Sequence, residues 1–178
     1  MARRRSIRAY KPGPLTGEEV SQILWAAQGI TGDNGFRAAP SGGATYPLET
    51  YLIAGNVTGF EPGLYHYVPA SHSLSLVKEG DLRAELSEAA LGQPCIQGSA
   101  AVIVFSAIYE RTTDRYGDRG KMYVHMDVGH AAQNALLQAT ALGLGAVPVG
   151  AFRTKTIGGL LGFPETELPM YLLPIGRL

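Results

Sequence analysis

Three residues near the amino terminus have the types and spacing to do chemistry: Arg4, Ser6 and Arg8. In an extended chain they point to the same side, because side chains alternate with a period of two. Two guanidinium groups that flank a hydroxyl can bind a terminal phosphate through charge-assisted hydrogen bonds and one neutral donor. A solvated basic tail is the alternative, since chain termini commonly fray. The pattern therefore makes the segment a candidate phosphate site.

Two glycine-rich segments could approach a flat ligand closely. The first runs from Pro40 to Gly43, where consecutive glycines remove the Cβ atoms and let backbone N–H groups converge on an oxygen. A simple surface turn is the alternative for this segment. The second runs from Gly143 to Phe152, where a helix stop leads directly into an apolar strand that contains Gly150. Glycine inside a strand often marks close contact between backbone and ligand.

Several common active sites are absent from the sequence. No Gly-x-Gly-x-x-Gly opens a helix after a strand, and there is neither a Walker A sequence nor a Gly-x-Ser-x-Gly elbow. His125 and His130 are five residues apart, which places them on different faces of a helix and disfavours a zinc pair. Cys95 is the only cysteine, so an internal disulfide is excluded and a buried structural thiol is expected. We predict no metal site.

Length and charge narrow the classes of protein. The chain has 178 residues, which fits one domain spanning 1–178. Lys plus Arg equals Asp plus Glu, 15 of each, so no electrostatic argument favours nucleic acid or a membrane as partner. The apolar run Ala100–Ile108 is short for a membrane span, and no apolar region follows the basic amino terminus, so we expect a cytoplasmic protein. A charged fraction of only 17% hints that some surface is buried between subunits.

The elements that must position these residues follow an α+β pattern. Residues 1–14 read as an extended arm, and Thr16 can cap a helix whose apolar face includes Val20 and Ile23. The clearest helix is expected at Val128–Leu142, with Asp127 as its cap. One face of this helix consists of small alanines, and we interpret it as an ordinary core helix. The other expected elements are a helix at Asp81–Leu91 and strands at Tyr51–Ala54, Leu64–Tyr67, Leu74–Val77, Ala100–Ile108, Ala146–Phe152 and Met170–Ile175.

The order and spacing of several segments resemble the nitroreductase superfamily, especially its SagB-type dehydrogenase branch. The resemblance implies an α+β three-layer sandwich, with a central, mostly antiparallel sheet flanked by helices, in an intertwined homodimer. It also implies FMN bound non-covalently at the subunit interface, with both subunits contributing to each site. The segments that carry it are RRSIR at Arg4–Arg8, APSGGATYPLETYL at Ala39–Leu52, GLYHY at Gly63–Tyr67, RYGDRG at Arg115–Gly120, DVGHAAQNALLQATALGLGAVPVGAF at Asp127–Phe152 and PMYLLPIG at Pro169–Gly176.

The resemblance also implies roles for particular residues in binding FMN. One group would hold the phosphate and ribityl chain, a second would lie against the isoalloxazine from the other subunit, and a third would lie beneath the ring with a backbone N–H bonded to N5. Many relatives carry an acidic residue where this chain has Gly150, so only the backbone donor is available here. The first group is Arg4, Ser6 and Arg8, with Arg177 as a further phosphate contact. The second group is Pro40, Ser41, Gly42 and Gly43, and the third is Pro148, Val149, Gly150 and Ala151. Gln93 would lie at the polar edge of the ring.

The activity implied is NAD(P)H-dependent reduction of small nitro or quinone-type acceptors by ping-pong hydride transfer, with no catalytic side chain required. FMN accepts hydride at N5, and a positive charge near N1, for which Arg8 is the candidate, stabilises the reduced ring. One alternative is a SagB-type azoline dehydrogenase acting on a modified peptide. Relatives of that kind can use a Lys–Tyr pair as base. Here Met122 separates Lys121 from Tyr123; in a strand the two would still share a face, but surface residues are the better interpretation. Another alternative is a non-catalytic flavin-binding protein.

Overall fold

The computed structural model describes residues 1–178. It contains six helices, one 3-10 turn at Gly42–Ala44 and six strands. The helices are α1 Gly17–Gln28, α2 Arg83–Ala89, α3 Pro94–Gln97, α4 Glu110–Tyr116, α5 Arg119–Ala141 and α6 Thr154–Leu161. The strands are β1 Leu48–Ala54, β2 Gly63–Val68, β3 Ser73–Glu79, β4 Ala101–Ala107, β5 Leu144–Ala146 and β6 Leu168–Arg177.

One sheet, in the order β3-β2-β1-β4-β6-β5, separates two apolar layers. All five strand pairings are antiparallel. Side chains of the central strand β4 alternate between the layers: Ile103 and Phe105 face α1 and α5, whereas Val102 and Val104 face α2, α3 and α6. The helix–sheet–helix sandwich predicted from the sequence is confirmed.

The start of α1 shows how local sequence fixes an element. Thr16 accepts a hydrogen bond from the backbone N–H of Glu19, and the Glu19 carboxylate accepts one from the backbone N–H of Thr16. This reciprocal capping box satisfies two donors that would otherwise lack partners. The predicted cap at Thr16 is confirmed, and Val20 and Ile23 are buried as expected.

The long helix begins nine residues earlier than expected, at Arg119 instead of Val128, so the prediction that Asp127 caps it is wrong. The first two turns bury few large apolar side chains, which is why they lack the usual periodic pattern. At Gly120 an added Cβ would lie 3.0 Å from the Cα of Thr113, so α4 packs closely at this point. The alanine face was interpreted correctly, because Ala131 and Ala135 are fully buried within this chain.

The strand expected at Ala146–Phe152 is also shorter than predicted, since β5 ends at Ala146. Val149 returns to the sheet, where its N–H and C=O both bond to Leu172 at 2.8 and 3.0 Å, and the N–H of Val147 makes one longer bond, 3.4 Å, to the carbonyl of Pro174. Pro148 has no N–H to donate, so the ladder cannot run continuously through it. The segment Val147–Phe152 is therefore extended and mostly outside the sheet. None of the helices has both the length and the apolar stretch that crossing a bilayer requires.

Candidate functional site

The amino-terminal arm is held beside β5 and does not fray. The N–H of Ile7 donates to the carbonyl of Ala146 at 3.0 Å, and Ser6 forms a parallel bridge with the same residue. Gly145 permits this approach, because an added Cβ there would lie 2.8 Å from Cγ2 of Ile7. The Tyr10 hydroxyl lies 3.0 Å from the carbonyls of both Ile7 and Pro174. The arm thus lies along the edge of the sheet.

The predicted phosphate-binding side chains on this arm have no partners within the chain. Its side-chain hydrogen bonds come from Arg5 and Tyr10 only. No acceptor of the chain binds the guanidinium groups of Arg4 or Arg8, of which the first is half-buried and the second exposed. Ser6, between them, is also exposed. Two available cations and a hydroxyl on an ordered backbone suit an anionic ligand.

The predicted segment Pro148–Ala151 offers backbone donors next to the arm. The N–H groups of Gly150 and Ala151 donate to no acceptor of the chain. An added Cβ at Gly150 would meet only the ring of Tyr171, at 3.5 Å, so the backbone is open on this side. Val149 is buried and anchors the segment, whereas Pro148 is half-buried. A flat ligand with an acceptor atom could lie on this segment.

Gln93 reaches the same segment, although its amide nitrogen is already occupied. Its Nε2 donates to the carbonyls of Ala90 and Ala151, at 3.1 and 2.9 Å. Only its Oε1 remains to accept a hydrogen bond from a ligand. Gln93 therefore joins α2 to the glycine-bearing segment and positions the Ala151 carbonyl.

Arg8 lies close to Cys95, which connects the arm to the same region. Cys95 is a free, buried thiol, as predicted. Burial raises the pKa of the Cys95 thiol, and the positive charge of Arg8 acts in the opposite direction. The arm, the start of α3 and the glycine-bearing segment thus converge at one end of the sheet. Arg8 connects the arm to this region through Cys95, and Gln93 connects to the glycine-bearing segment through Ala151.

Arg177, the fourth predicted phosphate contact, has a full set of partners inside the chain. Its Nη1 and Nη2 donate to the two carboxylate oxygens of Glu19 at 2.6 and 2.9 Å, and its Nε donates to the carbonyl of Pro14 at 2.9 Å. This bidentate pair ties the end of β6 to the start of α1. The guanidinium would have to leave Glu19 to meet a ligand.

The double-glycine loop is fixed by a residue that the sequence analysis assigned to another role. Asp127, only 4% exposed on α5, accepts hydrogen bonds from the Ser41 hydroxyl at 2.6 Å and from the Gly42 N–H at 3.3 Å. Burial raises the pKa of Asp127, whereas these two hydrogen bonds lower it. Ser41 in turn accepts from the N–H of Tyr46 at 3.0 Å. Pro40 lies exposed at the start of this loop.

Backbone strain is concentrated in the same loop. Gly43, Ala44 and Tyr46 have φ of 63°, 54° and 44°, and left-handed backbone is uncommon for residues with a side chain. An added Cβ at Gly43 would lie 2.3 Å from the hydroxyl of Tyr116. The Gly43 carbonyl accepts from Nη1 of Arg115 at 3.2 Å. Strain at a fixed, half-exposed loop is a common mark of a binding site.

The loop and the arm are far apart within one chain. Asp127 lies fourteen residues before Ala141 at the end of α5. At about 1.5 Å per residue this is roughly 21 Å of helix. The structure therefore brings the arm, Gln93 and the segment Pro148–Ala151 together, but it places Pro40–Gly43 elsewhere in the same protomer.

The expectation that Lys121 and Tyr123 share a face of a strand is wrong, because both lie in α5. Residues two apart on a helix point in different directions. Lys121 pairs with Asp118 at 2.8 Å, and its side chain is 63% exposed, as a surface residue would be. Tyr123 packs against Gly42, 3.4 Å from the position of an added Cβ. No group of His, Cys, Asp or Glu side chains is placed to hold a metal ion.

Comparison with known proteins decides the family. Residues 1–177 match the Nitroreductase family. The chain belongs to the nitroreductase family. It is 49% identical over 177 residues to a candidate nitroreductase of Methanocaldococcus jannaschii, an alignment that covers 99% of this chain and 88% of that protein.

Solved structures of this family share the fold. A candidate nitroreductase from Anabaena variabilis superposes with a TM-score of 0.87 at 33% identity, over 98% of this chain and 36% of that one. A second, from Ralstonia eutropha, superposes with a TM-score of 0.84 at 29% identity, over 98% and 79% of the two chains. These neighbours confirm the nitroreductase fold.

More distant nitroreductase relatives have different named activities. The FMN reductase [NAD(P)H] of Bacillus subtilis is 26% identical over 191 residues, which is 98% of this chain and 60% of that protein. The microcin B17-processing protein McbC of Escherichia coli is 34% identical over 118 residues, which is 61% of this chain and 42% of that protein. The chain thus spans less than two thirds of these two relatives.

Proposed function

We propose that this nitroreductase-family oxidoreductase is FMN-dependent, works as a cytoplasmic homodimer and reduces small nitro or quinone-type acceptors with NAD(P)H. One observation carries the proposal. The arm presents two guanidinium groups without partners, and it runs beside the backbone of Gly150 and Ala151, whose N–H groups also lack partners. Phosphate at one end and a hydrogen-bond acceptor on a flat ring at the other would satisfy both sets of donors.

The residues present fit the cofactor. Arg4, Ser6 and Arg8 would bind its phosphate and ribityl end, and Arg8 would supply positive charge near the ring. Gly150, without a side chain, would let the ring lie on the backbone, and Gln93 would hold the Ala151 carbonyl in place through the bond at 2.9 Å. When bound, FMN would accept hydride from NAD(P)H and pass it to the second substrate. The chain's own contribution is to bind and orient these molecules over one open face.

Two features support a homodimer in which the double-glycine loop completes the partner's site. The loop is roughly 21 Å of helix away from the arm of its own chain, too far to contact the same small ligand. Next to that loop, the outward face of α5 exposes Met122 and Met126, whose exposed fractions are 40% and 48%, and Gly129 follows about one helical turn later. Exposed methionines in a row with a glycine are typical of a surface that packs against another protein.

The names of relatives support the choice of cofactor and donor. The Bacillus subtilis protein is an FMN reductase that uses NAD(P)H, and a Vibrio harveyi relative at 30% identity is an NADPH-flavin oxidoreductase. Arg177 would contact the phosphate only after releasing Glu19 and Pro14, which accept hydrogen bonds from its donors.

A second candidate is an azoline dehydrogenase that acts on a modified peptide. The similarity to McbC and to the trifolitoxin-processing protein TfxB, each at 34% identity, favours it. Lys121 and Tyr123 lie on different sides of α5, so they do not form the catalytic pair that this azoline dehydrogenase would use. A flavin-binding protein without turnover is the third candidate.

An absorption spectrum of the purified protein, with mass identification of any yellow chromophore, tests the cofactor. We expect FMN, and a colourless protein that does not take up added FMN would contradict the proposal. Bleaching of the flavin by NADPH or NADH without oxygen separates an enzyme from a carrier. Reoxidation of the reduced flavin by nitrofurazone, which accepts its electrons, is expected for the reductase. For the azoline dehydrogenase we expect instead that a thiazoline-containing peptide bleaches the oxidised flavin without NAD(P)H, because the heterocycle gives up two electrons as it becomes a thiazole.

A further inference from the structure

A cleft lies between α6 and the start of β6, and none of the residues that line it is assigned to the flavin. Its volume is about 550 Å³, within the range typical of small-molecule sites. Helix α6 contributes Gly158 and Gly159, and an added Cβ at Gly159 would meet nothing within 4 Å. The absence of side chains here keeps the cleft open. Glu167 also lines the cleft and is only 6% exposed.

Glu167 is a buried carboxyl group that no cation of the chain neutralises. Its Oε1 accepts from the hydroxyl of Ser106, itself fully buried, at 2.5 Å. Glu167 belongs to none of the five ion pairs of the chain. A hydroxyl donates a hydrogen bond but no charge, and a buried carboxylate without a cation is costly.

The neighbouring carboxylate, that of Glu49, has the cationic partner that Glu167 lacks. Glu49 lies on the same side of the sheet, and its two oxygens are paired with Arg111 at 2.5 Å and with His66 at 2.8 Å. Tyr51 is close enough to Glu167 to be affected by it: burial raises the pKa of Tyr51 most, and the charge of Glu167 and a hydrogen bond to its carboxylate raise it further. Because Arg111 compensates Glu49, this region is left with one negative charge, that of Glu167.

The walls of the cleft are suited to an apolar body. Phe163, Leu168 and Pro169 line it, and its two other charged residues, Lys155 and Glu165, are both exposed and of opposite sign. A ligand with one positive charge and a short hydrocarbon part would match both the buried carboxylate and these walls.

We propose that this cleft binds a small organic ammonium ion, with its charge against Glu167 and its apolar part along Phe163 and Pro169. The site is separate from the proposed flavin site and does not depend on it. An ammonium group would supply the compensating charge that Glu167 lacks, together with hydrogen bonds to its carboxylate oxygens.

Isothermal titration of the full chain with 2-phenylethylammonium, compared with the neutral 2-phenylethanol of similar shape, tests the proposal. We expect the ammonium to bind about tenfold more tightly than the alcohol, because only it makes charge-assisted hydrogen bonds. Equal binding of the two compounds, or no binding of the ammonium, would overturn the proposal. Neither result bears on FMN, whose absorbance is read separately.

Two variants and a matched control locate the binding. Glu167→Gln keeps the shape and the acceptor for Ser106 but removes the charge, so the preference for the ammonium should disappear. Glu85→Gln removes an exposed charge on α2, outside the lining of the cleft, and should leave affinity within about twofold, because exposed charges contribute little. Gly159→Leu fills the cleft from a position with free space and should abolish binding even if Glu167→Gln does not fold. Tight binding to Gly159→Leu would place the ligand elsewhere.

Discussion

The two parts of the proposed flavin site are built in different ways. The arm is held by backbone hydrogen bonds to β5 and by the missing side chain of Gly145. The double-glycine loop is held by the side chain of Asp127, whose position in the sequence is 86 residues after Ser41. The first part therefore resembles an added strand that depends on close backbone packing. The second depends on side chains, above all on one buried carboxylate that accepts from both Ser41 and Gly42, so it should be the more sensitive of the two to point substitution.

Asp127→Ala should have the largest effect. It leaves the Ser41 hydroxyl and the Gly42 N–H without their acceptor and opens a cavity beside them. We expect a loss of about 3 kcal/mol in the free energy of unfolding, measured by urea denaturation. Asp114→Ala, an exposed acid on α4, is the matched control and should change stability by less than about 0.5 kcal/mol. A similar small loss at Asp127 would mean that the loop does not depend on this carboxylate.

Gly43→Ala should rank next, because the new Cβ would lie 2.3 Å from the Tyr116 hydroxyl and φ is 63°. We expect destabilisation of about 2 kcal/mol. Gly162→Ala is the control for backbone strain alone, since its φ of 73° and ψ of 27° are close to the 63° and 21° of Gly43, and nothing lies within 4 Å of an added Cβ. It should cost about 1 kcal/mol. If the two variants are equally stable, close packing against Tyr116 contributes nothing.

Sequence reasoning predicted the arm better than the loop, and the reason is physical. Alternation of Arg4, Ser6 and Arg8 is a local pattern, and the structure orders them on one extended segment. The role of Asp127 depends on a contact between distant parts of the chain. The sequence pattern of an aspartate before an apolar run is the same in two cases: when the aspartate caps the helix, and when it lies within the helix and faces a loop. The break in the strand after Ala146 could have been predicted from Pro148, which has no N–H.

Arg4→Gln tests the arm as a phosphate site without disturbing its backbone. Under the proposed function, FMN affinity should fall about tenfold, because a charge-assisted hydrogen bond is lost. Riboflavin, which has no phosphate, should bind the variant and the unmodified chain equally well. Fluorescence titration of both ligands measures the difference. An equal loss for riboflavin would assign Arg4 to the structure of the arm and not to phosphate.

Gly145→Ala should have a smaller effect on stability, about 1 kcal/mol, because the arm lies at the edge of the sheet and can move away. The added Cβ would lie 2.8 Å from Cγ2 of Ile7. We expect faster cleavage by trypsin after Arg4 and Arg5, measured by mass spectrometry of timed digests. Ile7→Ala in the same chain should restore protection by removing the clash. Unchanged cleavage of the single variant would mean that the arm tolerates a side chain here.

The pH dependence of stability should show how the loop depends on Asp127, although the effect is the smallest. The pKa of Asp127 is raised in the folded chain, chiefly by burial. Between the ordinary pKa of an aspartate and this raised value, the folded state holds a proton that the unfolded state has released, so the contribution of Asp127 to stability falls as pH rises. Above that window the contribution is constant.

Asp127→Asn does not titrate, so the difference in unfolding free energy between the unmodified chain and this variant should decrease with rising pH and then level off. A difference that instead rises with pH would mean that the hydrogen bonds from Ser41 and Gly42 outweigh the burial of this carboxylate.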